Sequence, residues 1–554
     1  MRIIEGLPRP ARQGELVALD VEIFRQEEPL HIPTGVFACL SIALEAGERY
    51  QIYDTKDIKS ALTILSNGQW VMQNAMYDIR QLWRWAPIKQ RPIWDTMIME
   101  QDLFGGYFDS FSLDALSRRW LGKALKKDVR EGFSTATRMT QKMKQYAIKD
   151  ADATLKVAMK QRAYMNKKNI DPKWYWDIDE PCIWTVMDMQ SATINIANWH
   201  KMADEFEELG KVLEEELGFN VYSPKQVKAQ LNRVLGRKFK STNAKTVLEP
   251  LLGELKGEKY EFVDKILRAR MYRKASNTYG HLWPERWADN NGRVRPAWRI
   301  TGTETGRMAC RDPNLQNIPS RKLPIYRQQF ISSHKRGYIL VADVSQQEMR
   351  INAYFSHDQA LMYAFEHDID VHDHVQDLVE SCDNRDDAKA LNFGMAYGMS
   401  EYGIAKATKL PLPEAKALRA GYFKEFRGVK AYIDKQIEVG YRKSVVHTAT
   451  GRPVHLNMYN RQWKNNSINA PIQGSAADHT KLAMVLFRNY CASEGVPFPL
   501  IMTIHDELVC DIESGTTKTY RKLVKQAWHD AGEYVMPGIP MKVDIKVGRN
   551  WGVK

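Results

Sequence analysis

Cysteine is scarce in this sequence. The 554 residues hold only six, at positions 39, 182, 310, 382, 491 and 510, with no Cys-x-x-Cys pair and no Cys/His cluster. That pattern argues against a zinc site and suits reduced intracellular thiols. Long apolar runs are missing too. No stretch of about 20 apolar residues could cross a membrane as a helix, and the opening "MRIIEGLPRPARQGE" lacks the apolar core of a signal peptide. There is no repeat and no low-complexity tract. These absences lead us to expect a cytoplasmic protein with no membrane partner.

Acidic residues are outnumbered, 67 against 80 Lys and Arg, for a formal net charge of +13. The excess suits a polyanionic partner, above all nucleic acid; a merely basic surface is the alternative. Hydrophobic residues make up 44%, too many for a disordered chain, and the length implies several domains. The 15 Trp and 24 Tyr include rings that could stack on bases, although most belong in cores.

The first 165 or so residues alternate short apolar runs ("LVALDVEI", "GVFACLSIAL", "GQWVMQ") with helical stretches, which predicts an α/β domain. A polar, aromatic, proline-punctuated stretch, "NKKNIDPKWYWDIDEP" (166–181), marks a boundary. Residues 182–280 read as helical, "NNGRVRP" carries a hairpin-type Asn-Gly, and "GYILVADV" (337–344) reads as a strand. A helical block is expected over 346–440, with strands near 500–512 and 541–547.

Carboxylates interrupt this pattern where burial would be costly. In "LVALDVEIF", Asp20 and Glu22 alternate on one strand face. In "QNAMYDIRQL", Asn74 and Asp78 are one helical turn apart, as are Tyr146 and Asp150 in "QYAIKDADATL". Clustered carboxylates repel unless a cation lies between them, and divalent metals bound by oxygen are the usual answer. Two such ions could activate water against a phosphodiester. Each motif alone is weak; the three in this order are strong together. They resemble the 3′–5′ exonuclease fold of the DEDDy type, a ribonuclease H-like α/β domain. The resemblance implies that Asp20, Glu22, Asp78 and Asp150 hold metal and that Tyr146 positions the attacking water. "FSLDALSRRWLG" (111–122) fits the segment before the third motif, and the Tyr146 spacing favours Asp150 over its neighbour Asp152.

The stretch "LIMTIHDELVCDI" (500–512) sets His505, Asp506 and Glu507 among apolar residues. A hairpin with a polar turn would explain it, but a second carboxylate, Asp343, ends the apolar run "GYILVADV". If the two strands are neighbours, Asp343 and Asp506 converge, and two metals between them could activate a hydroxyl and neutralise a triphosphate. In "RDDAKALNFGMAYG", Arg385, Lys389, Phe393 and Tyr397 recur every four residues, a slowly winding helical stripe of two cations and two aromatics. Gly394 and Gly398 permit close approach. An ordinary amphipathic helix would show the same spacing.

Together these segments resemble the family A DNA polymerases. "DVSQQEMR", "RDDAKALNFGMAYG" and "IHDEL" are similar to motifs A, B and C, and "TGTETGRMACRDPNLQNIPSR", "TATGRPVHL", "NAPIQGSAAD" and the ending "VGRNW" fit too, in order over essentially 16–554. The resemblance implies a right-hand α+β polymerase domain. The exonuclease domain would occupy 1–170 and the polymerase 171–554, with a thumb near 182–290, palm near 291–360 and 480–554, and fingers near 361–479. It implies template-directed synthesis from a primer 3′-OH with proofreading. Asp343, Asp506 and the Val344 carbonyl would hold metal. Arg385, Lys389, Phe393, Tyr397, Glu348 and Gln346 would meet the dNTP or its site, with Glu348 rejecting ribonucleotides. Arg307, Asn314, Gln316, Gln473 and His505 would touch DNA. Expected cofactors are two Mg2+ at each site, with Mn2+ as the alternative. Expected partners are primer-template DNA, a single-stranded 3′ end and dNTPs; replisome proteins are not identifiable.

This sequence departs from the family pattern at Val344, for the usual tyrosine, at Gln347, for an apolar residue, and at Asn465, where many relatives carry Arg. With only residues 1–15 before the exonuclease resemblance and no large insertion in the thumb, we expect a compact form without a 5′ nuclease, most like a phage enzyme, with a bacterial origin as the alternative. Two other readings compete: an exonuclease with an inactive, DNA-binding polymerase half, and a purely structural DNA-binding protein. The second needs neither carboxylate set.

Overall fold

A six-stranded mixed sheet organises the N-terminal part. The computed structural model describes residues 2–25, 32–125, 129–320, 322–371, 391–392, 394–408 and 410–553. The strands lie in the order Ile4–Glu5, Arg49–Ile52, Val36–Leu44, Leu16–Phe24, Gln69–Met72, Ile93–Asp95. Leu16–Phe24 runs antiparallel to Val36–Leu44 and parallel to Gln69–Met72. Along it every residue is buried except Asp20 and Glu22, which are half-buried. Near-continuous burial marks a sheet covered on both faces, and the helices Ala75–Leu82 and Gln141–Lys168 pack against this strand. Gln141–Lys168 starts where the Thr140 side chain accepts the Met143 N–H, and it ends on Asn169 in the left-handed region.

The stretch at 166–181 is not a free linker. Helix continues to Lys168, and Trp174, Tyr175 and Ile178 are buried. The Tyr175 hydroxyl accepts the Asp95 N–H at 2.6 Å and donates to the Ile93 carbonyl at 2.7 Å, binding the segment to the end of the sheet. Beyond it, the long helices Ile196–Leu217 and Glu258–Tyr279 pack along each other. The Asn-Gly turn forms, with Gly292 at φ +72° and its N–H on the Asp289 carbonyl at 2.8 Å. The strand that leaves it, Arg293–Val294, pairs with Ala192–Ile194.

A second, four-stranded antiparallel sheet has the order Leu500–Ile504, Glu507–Ile512, Tyr338–Val344, Val543–Gly548. The 31-residue helix Trp463–Ser493 and the helix Thr517–Val535 pack on each other beside it. Helices Gln347–Ser356, Gln359–Glu366, Glu401–Thr408, Leu412–Glu425 and Arg427–Lys443 contribute to a separate apolar core.

Where the N-terminal part meets the long helix, charge is buried. Lys481 pairs with Asp179, and Arg452 pairs with Asp478 at 2.8 Å, all four side chains about 1% exposed. Asp102, on the N-terminal helix Thr96–Phe104, lies beside them. Burial, then the charge of Asp179, pushes its carboxyl well above the usual range, with Lys481 and Arg452 pulling the other way. Arg452 also donates to the carbonyls of Thr305 at 2.9 Å and Gly474 at 3.3 Å. One buried guanidinium therefore joins the 301–307 loop to the long helix.

Candidate functional site

A cleft of about 440 Å³ opens where the Tyr338–Val344 strand ends. Strand register sets Asp343 opposite Glu507 on one neighbour and Asp544 on the other. The Val344 N–H reaches the Asp506 carbonyl at 3.2 Å, so the turn carrying Asp506 is tied to the end of Asp343's own strand. Asp343, Asp506, Asp544 and Val344 all line the cleft. His505 (φ +59°) and Gln346 (φ +55°), which also line it, hold left-handed backbones that non-glycine residues adopt at a cost.

Glu507 does not line this cleft. It is buried, accepts the Trp551 indole N–H at 2.5 Å and faces Arg327 at 3.4 Å, and the Arg327 guanidinium lies 4.0 Å from the Trp551 ring centroid. Of the two adjacent carboxylates in "HDE", one is neutralised inside the fold and the other faces the opening.

Glu348 lines the cleft from the first turn of Gln347–Ser356. It pairs with Arg307 and accepts the Tyr397 hydroxyl. Burial raises its carboxyl above the ordinary range, against the pull of Arg307. Gln347 is buried, and its amide donates to His479 Nδ1 at 3.0 Å. His479 Nε2 lies 3.1 Å from the Trp528 carbonyl, so the neutral ring donates there and accepts from Gln347. Burial holds this imidazole down at about 4. Gln346 donates to Asp370 at 3.3 Å. Gln316 lines the cleft, whereas Asn314 is exposed and its side chain caps the Leu315–Asn317 turn.

Arg307 also lines a second cleft of about 520 Å³, together with Gln473, Asn465 and Asn469. Arg385, Lys389 and Phe393 lie outside the described residues. Of the expected stripe only Tyr397 is described, on the turn that closes the helical residues 394–396. The cause is Gly398, at φ +80° with its N–H on the Met395 carbonyl at 3.0 Å, which closes the helix.

In the N-terminal part, Asp20 and Glu22 are half-buried on their strand, and Asp78 is buried on the adjoining helix. Asp78 accepts the Val21 N–H at 3.0 Å, which holds it against the residue between Asp20 and Glu22. Burial, then the charge of Asp20, drives the Asp78 carboxyl well above its usual range. Tyr146 and Asp150 are half-buried on Gln141–Lys168, which packs on the same strand. The Tyr146 ring lies 6.1 Å from that of Phe133. Asp152 is committed elsewhere, to Arg49 and to Lys156 at 2.6 Å.

Three residues went unread in the sequence. Asp544 follows an ordinary strand alternation. Arg452 is one basic residue among 80 Lys and Arg. Asp95 accepts the N–H groups of Asn74 (3.1 Å), Ala75 (2.7 Å), Met97 (2.9 Å) and Ile98 (3.3 Å), so it caps both the helix bearing Asp78 and the next one. An Asp that ends an apolar run and begins a helix was the available clue.

Both carboxylate sets offer hard oxygen donors, the chemistry of Mg2+ sites, and the mutual repulsion of Asp20 and Asp78 is what a cation would relieve. Among the described residues no three His, Cys, Asp or Glu side chains are gathered into a ready ligand cluster.

Comparison with known proteins bears on both parts. Residues 194–553 match the family model for DNA polymerase family A, and residues 7–163 match that for a 3′-5′ exonuclease. DNA polymerase I of Pseudomonas aeruginosa is 30% identical over 521 residues, covering 87% of this chain and 56% of that protein. The Bacillus subtilis DNA polymerase I is 32% identical over 398 residues, 66% of this chain and 44% of that one. The thermostable DNA polymerase I of Thermus aquaticus is 32% identical over 355 residues, 60% and 42%. The chain thus spans about half the length of the curated relatives it matches. A solved structure, the POL domain of Pol1 from M. smegmatis in complex with DNA primer-template and dNTP, shares the fold. Its TM-score is 0.83 over 99% of both chains, at 24% identity.

Asp78 generates a stability test. Its folded carboxyl titrates above the unfolded value, so its charge opposes folding at neutral pH, and the penalty disappears as pH falls below the unfolded value near 4. Asp78→Asn keeps an oxygen for the Val21 N–H and should raise the thermal midpoint at pH 7. The gain over wild type should shrink toward pH 4, as read by calorimetry without divalent cations. A gain that stays constant with pH would contradict the repulsion.

Proposed function

The chain belongs to DNA polymerase family A, and from that premise we propose that it extends a primer 3′-OH along a DNA template with dNTPs and removes mispaired 3′ ends with its N-terminal domain. The observation that carries this reading is the backbone pairing that brings Asp343 and Asp506 into one cleft while Asp78 is held against the strand of Asp20 and Glu22 in another part of the chain. We assign residues 1–170 to the exonuclease and 171–554 to the polymerase, with thumb, palm and fingers as the sequence divides them. A cytoplasmic location fits this reading.

Mg2+ is the cation we assign, held by Asp343, Asp506 and the Val344 carbonyl in the first site, with Asp544 nearby, and by Asp20, Glu22, Asp78 and Asp150 in the second. When bound it would lower the pKa of an attacking oxygen and neutralise phosphate charge. Tyr146, beside Asp150 on one helix, would orient the attacking water through its hydroxyl. Arg385 and Lys389 would take the triphosphate and Phe393 the sugar and base. Arg307, Gln473 and His505 would reach minor-groove acceptors that all base pairs present similarly, testing pair shape without reading sequence. Arg452 would keep Arg307's loop in register with Gln473's helix.

The two sites should separate. Asp343→Asn or Asp506→Asn is expected to abolish extension and spare excision, and Asp20→Ala with Glu22→Ala to do the reverse, in labelled-primer assays. Loss of both activities in a folded single-site variant would refute two independent centres.

Glu348 we assign as the barrier to the ribose 2′-OH, held in place by Arg307 and Tyr397. Stranding a polar group against it costs about 1–3 kcal/mol, tenfold per 1.4 kcal/mol. Glu348→Ala should therefore narrow the preference for dNTP over rNTP by about tenfold or more and lower normal incorporation. Gln347→Ile should leave that preference unchanged, because the Gln347 amide is engaged with His479. Single-nucleotide incorporation measures both; the opposite pattern would move the barrier to Gln347.

A further inference from the structure

The loop that joins the helix Thr96–Phe104 to the helix Leu113–Leu121 carries an open ring. Tyr107 is 65% exposed. Its ring meets Phe108 edge-on at 4.7 Å and His455 at 5.4 Å, and His455 lines the second cleft. The loop is pressed onto that residue. His455 donates its N–H to the Gly105 carbonyl at 2.8 Å, and Gly106 has φ +83° with its ideal Cβ position 2.2 Å from the His455 carbonyl oxygen. No side chain fits there, so Tyr107 is held outward on a fixed backbone. At the other end of the loop the Gln73 amide donates to the Phe111 carbonyl at 3.0 Å, and Gln73 directly precedes Asn74, where the helix carrying Asp78 begins. Beneath lies Arg119, its guanidinium 3.4 Å from the Phe108 centroid and bonded to the Ser110 carbonyl at 3.0 Å.

We propose that residues 105–111 form a stacking surface for the unpaired 3′ end of a DNA strand passing from the second cleft to the Asp20, Glu22 and Asp78 site, with Tyr107 taking a base. This rests on the function proposed above. One end of the loop is bonded to His455, which lines the second cleft, and the other to Gln73, at the start of the helix that carries Asp78, so the loop extends in the direction such a strand must take. A ring that stays 65% exposed keeps area for a base, and every base offers a π-face, so the contact works for any mispaired sequence. Arg118, exposed on the helix Leu113–Leu121, is paired with Asp114 at 3.0 Å, a weak surface pair that backbone phosphates can displace. A single open ring is far too small an apolar area for a stable protein interface, which favours a nucleotide over a protein partner.

The test compares the full chain with Tyr107→Ala, Tyr107→Leu and Tyr107→Phe on a primer-template with a mismatched 3′ terminus, reading the ratio of the excision rate to the extension rate. Loss of one base–aromatic stack corresponds to about tenfold or more. The Ala and Leu variants should lose about that factor in the ratio, and Phe, which keeps the ring, should retain it. In an Asp20→Ala, Glu22→Ala background, 2-aminopurine at the primer terminus should be less quenched in the Ala variant than with Tyr107. A wild-type ratio in the Ala variant, or equal losses in Phe and Ala, would overturn the stacking role. A wild-type chain that extends primers but excises nothing would overturn the exonuclease reading itself, and this inference with it.

Discussion

Everything functional in this molecule depends on backbone pairing that holds carboxylates where their charges oppose them. Asp343 lies in register between Glu507 and Asp544, with Asp506 tied to the end of the same strand. Like charges directly opposite across strands destabilise a sheet, so the ladder and the apolar faces beneath must outweigh them. The fold reduces the load by removing one charge: Glu507 is answered by Arg327 and the Trp551 indole. The N-terminal site uses the same device, with the Val21 N–H holding Asp78 near Asp20 while burial raises its carboxyl. In both places the repulsion that remains is the part a bound cation would cancel.

A second set of charges is buried for the opposite purpose. Asp179 with Lys481, and Arg452 with Asp478, pair opposite charges at the junction of the two parts, beside Asp102. Removing one partner of such a pair leaves an uncompensated charge in the interior, at a cost of about 3–5 kcal/mol. Geometry is the clearer consequence. Arg452 spans the hairpin of Val445–His447 and Pro453–His455, the 301–307 loop and the long helix, so the loop that carries Arg307 cannot shift independently of the helix that carries Gln473. Segment 103–106 lies on the same hairpin, with the Leu103 carbonyl 3.1 Å from His455 Nε2. The two parts of the chain therefore share one framework.

Much of this was legible in residue order. Strands at 16–24, 36–44, 338–344 and 500–512 follow from apolar runs, and the carboxylates that interrupt them drew the eye because burial of charge is costly. Short strands such as Ile93–Asp95 and Arg49–Ile52 were not legible, since three or four residues carry too little periodicity. The partner of Arg293–Val294 was missed because an Asn-Gly turn fixes local geometry and leaves long-range pairing open. The four-residue spacing carries Tyr397 to the end of a helical stretch, but spacing cannot say that Gly398 ends it there. Glu507 and Asp506 are adjacent in sequence and opposite in fate, a distinction made by Arg327 and Trp551 from far along the chain. Asp95 and Asp544 went unread, because a helix cap and a strand position look the same in sequence wherever they lie.

One chain is proposed to hold two separate carboxylate centres, one that lengthens a DNA strand and one that shortens it. The direct measurement is the length of a 5′-labelled primer on a longer template, incubated with the full chain and Mg2+, with and without the four dNTPs. Full-length product is expected with dNTPs and progressive shortening from the 3′ end without them. Shortening under both conditions would reduce the second part to a DNA-binding platform, and an unchanged primer under both would contradict the account outright.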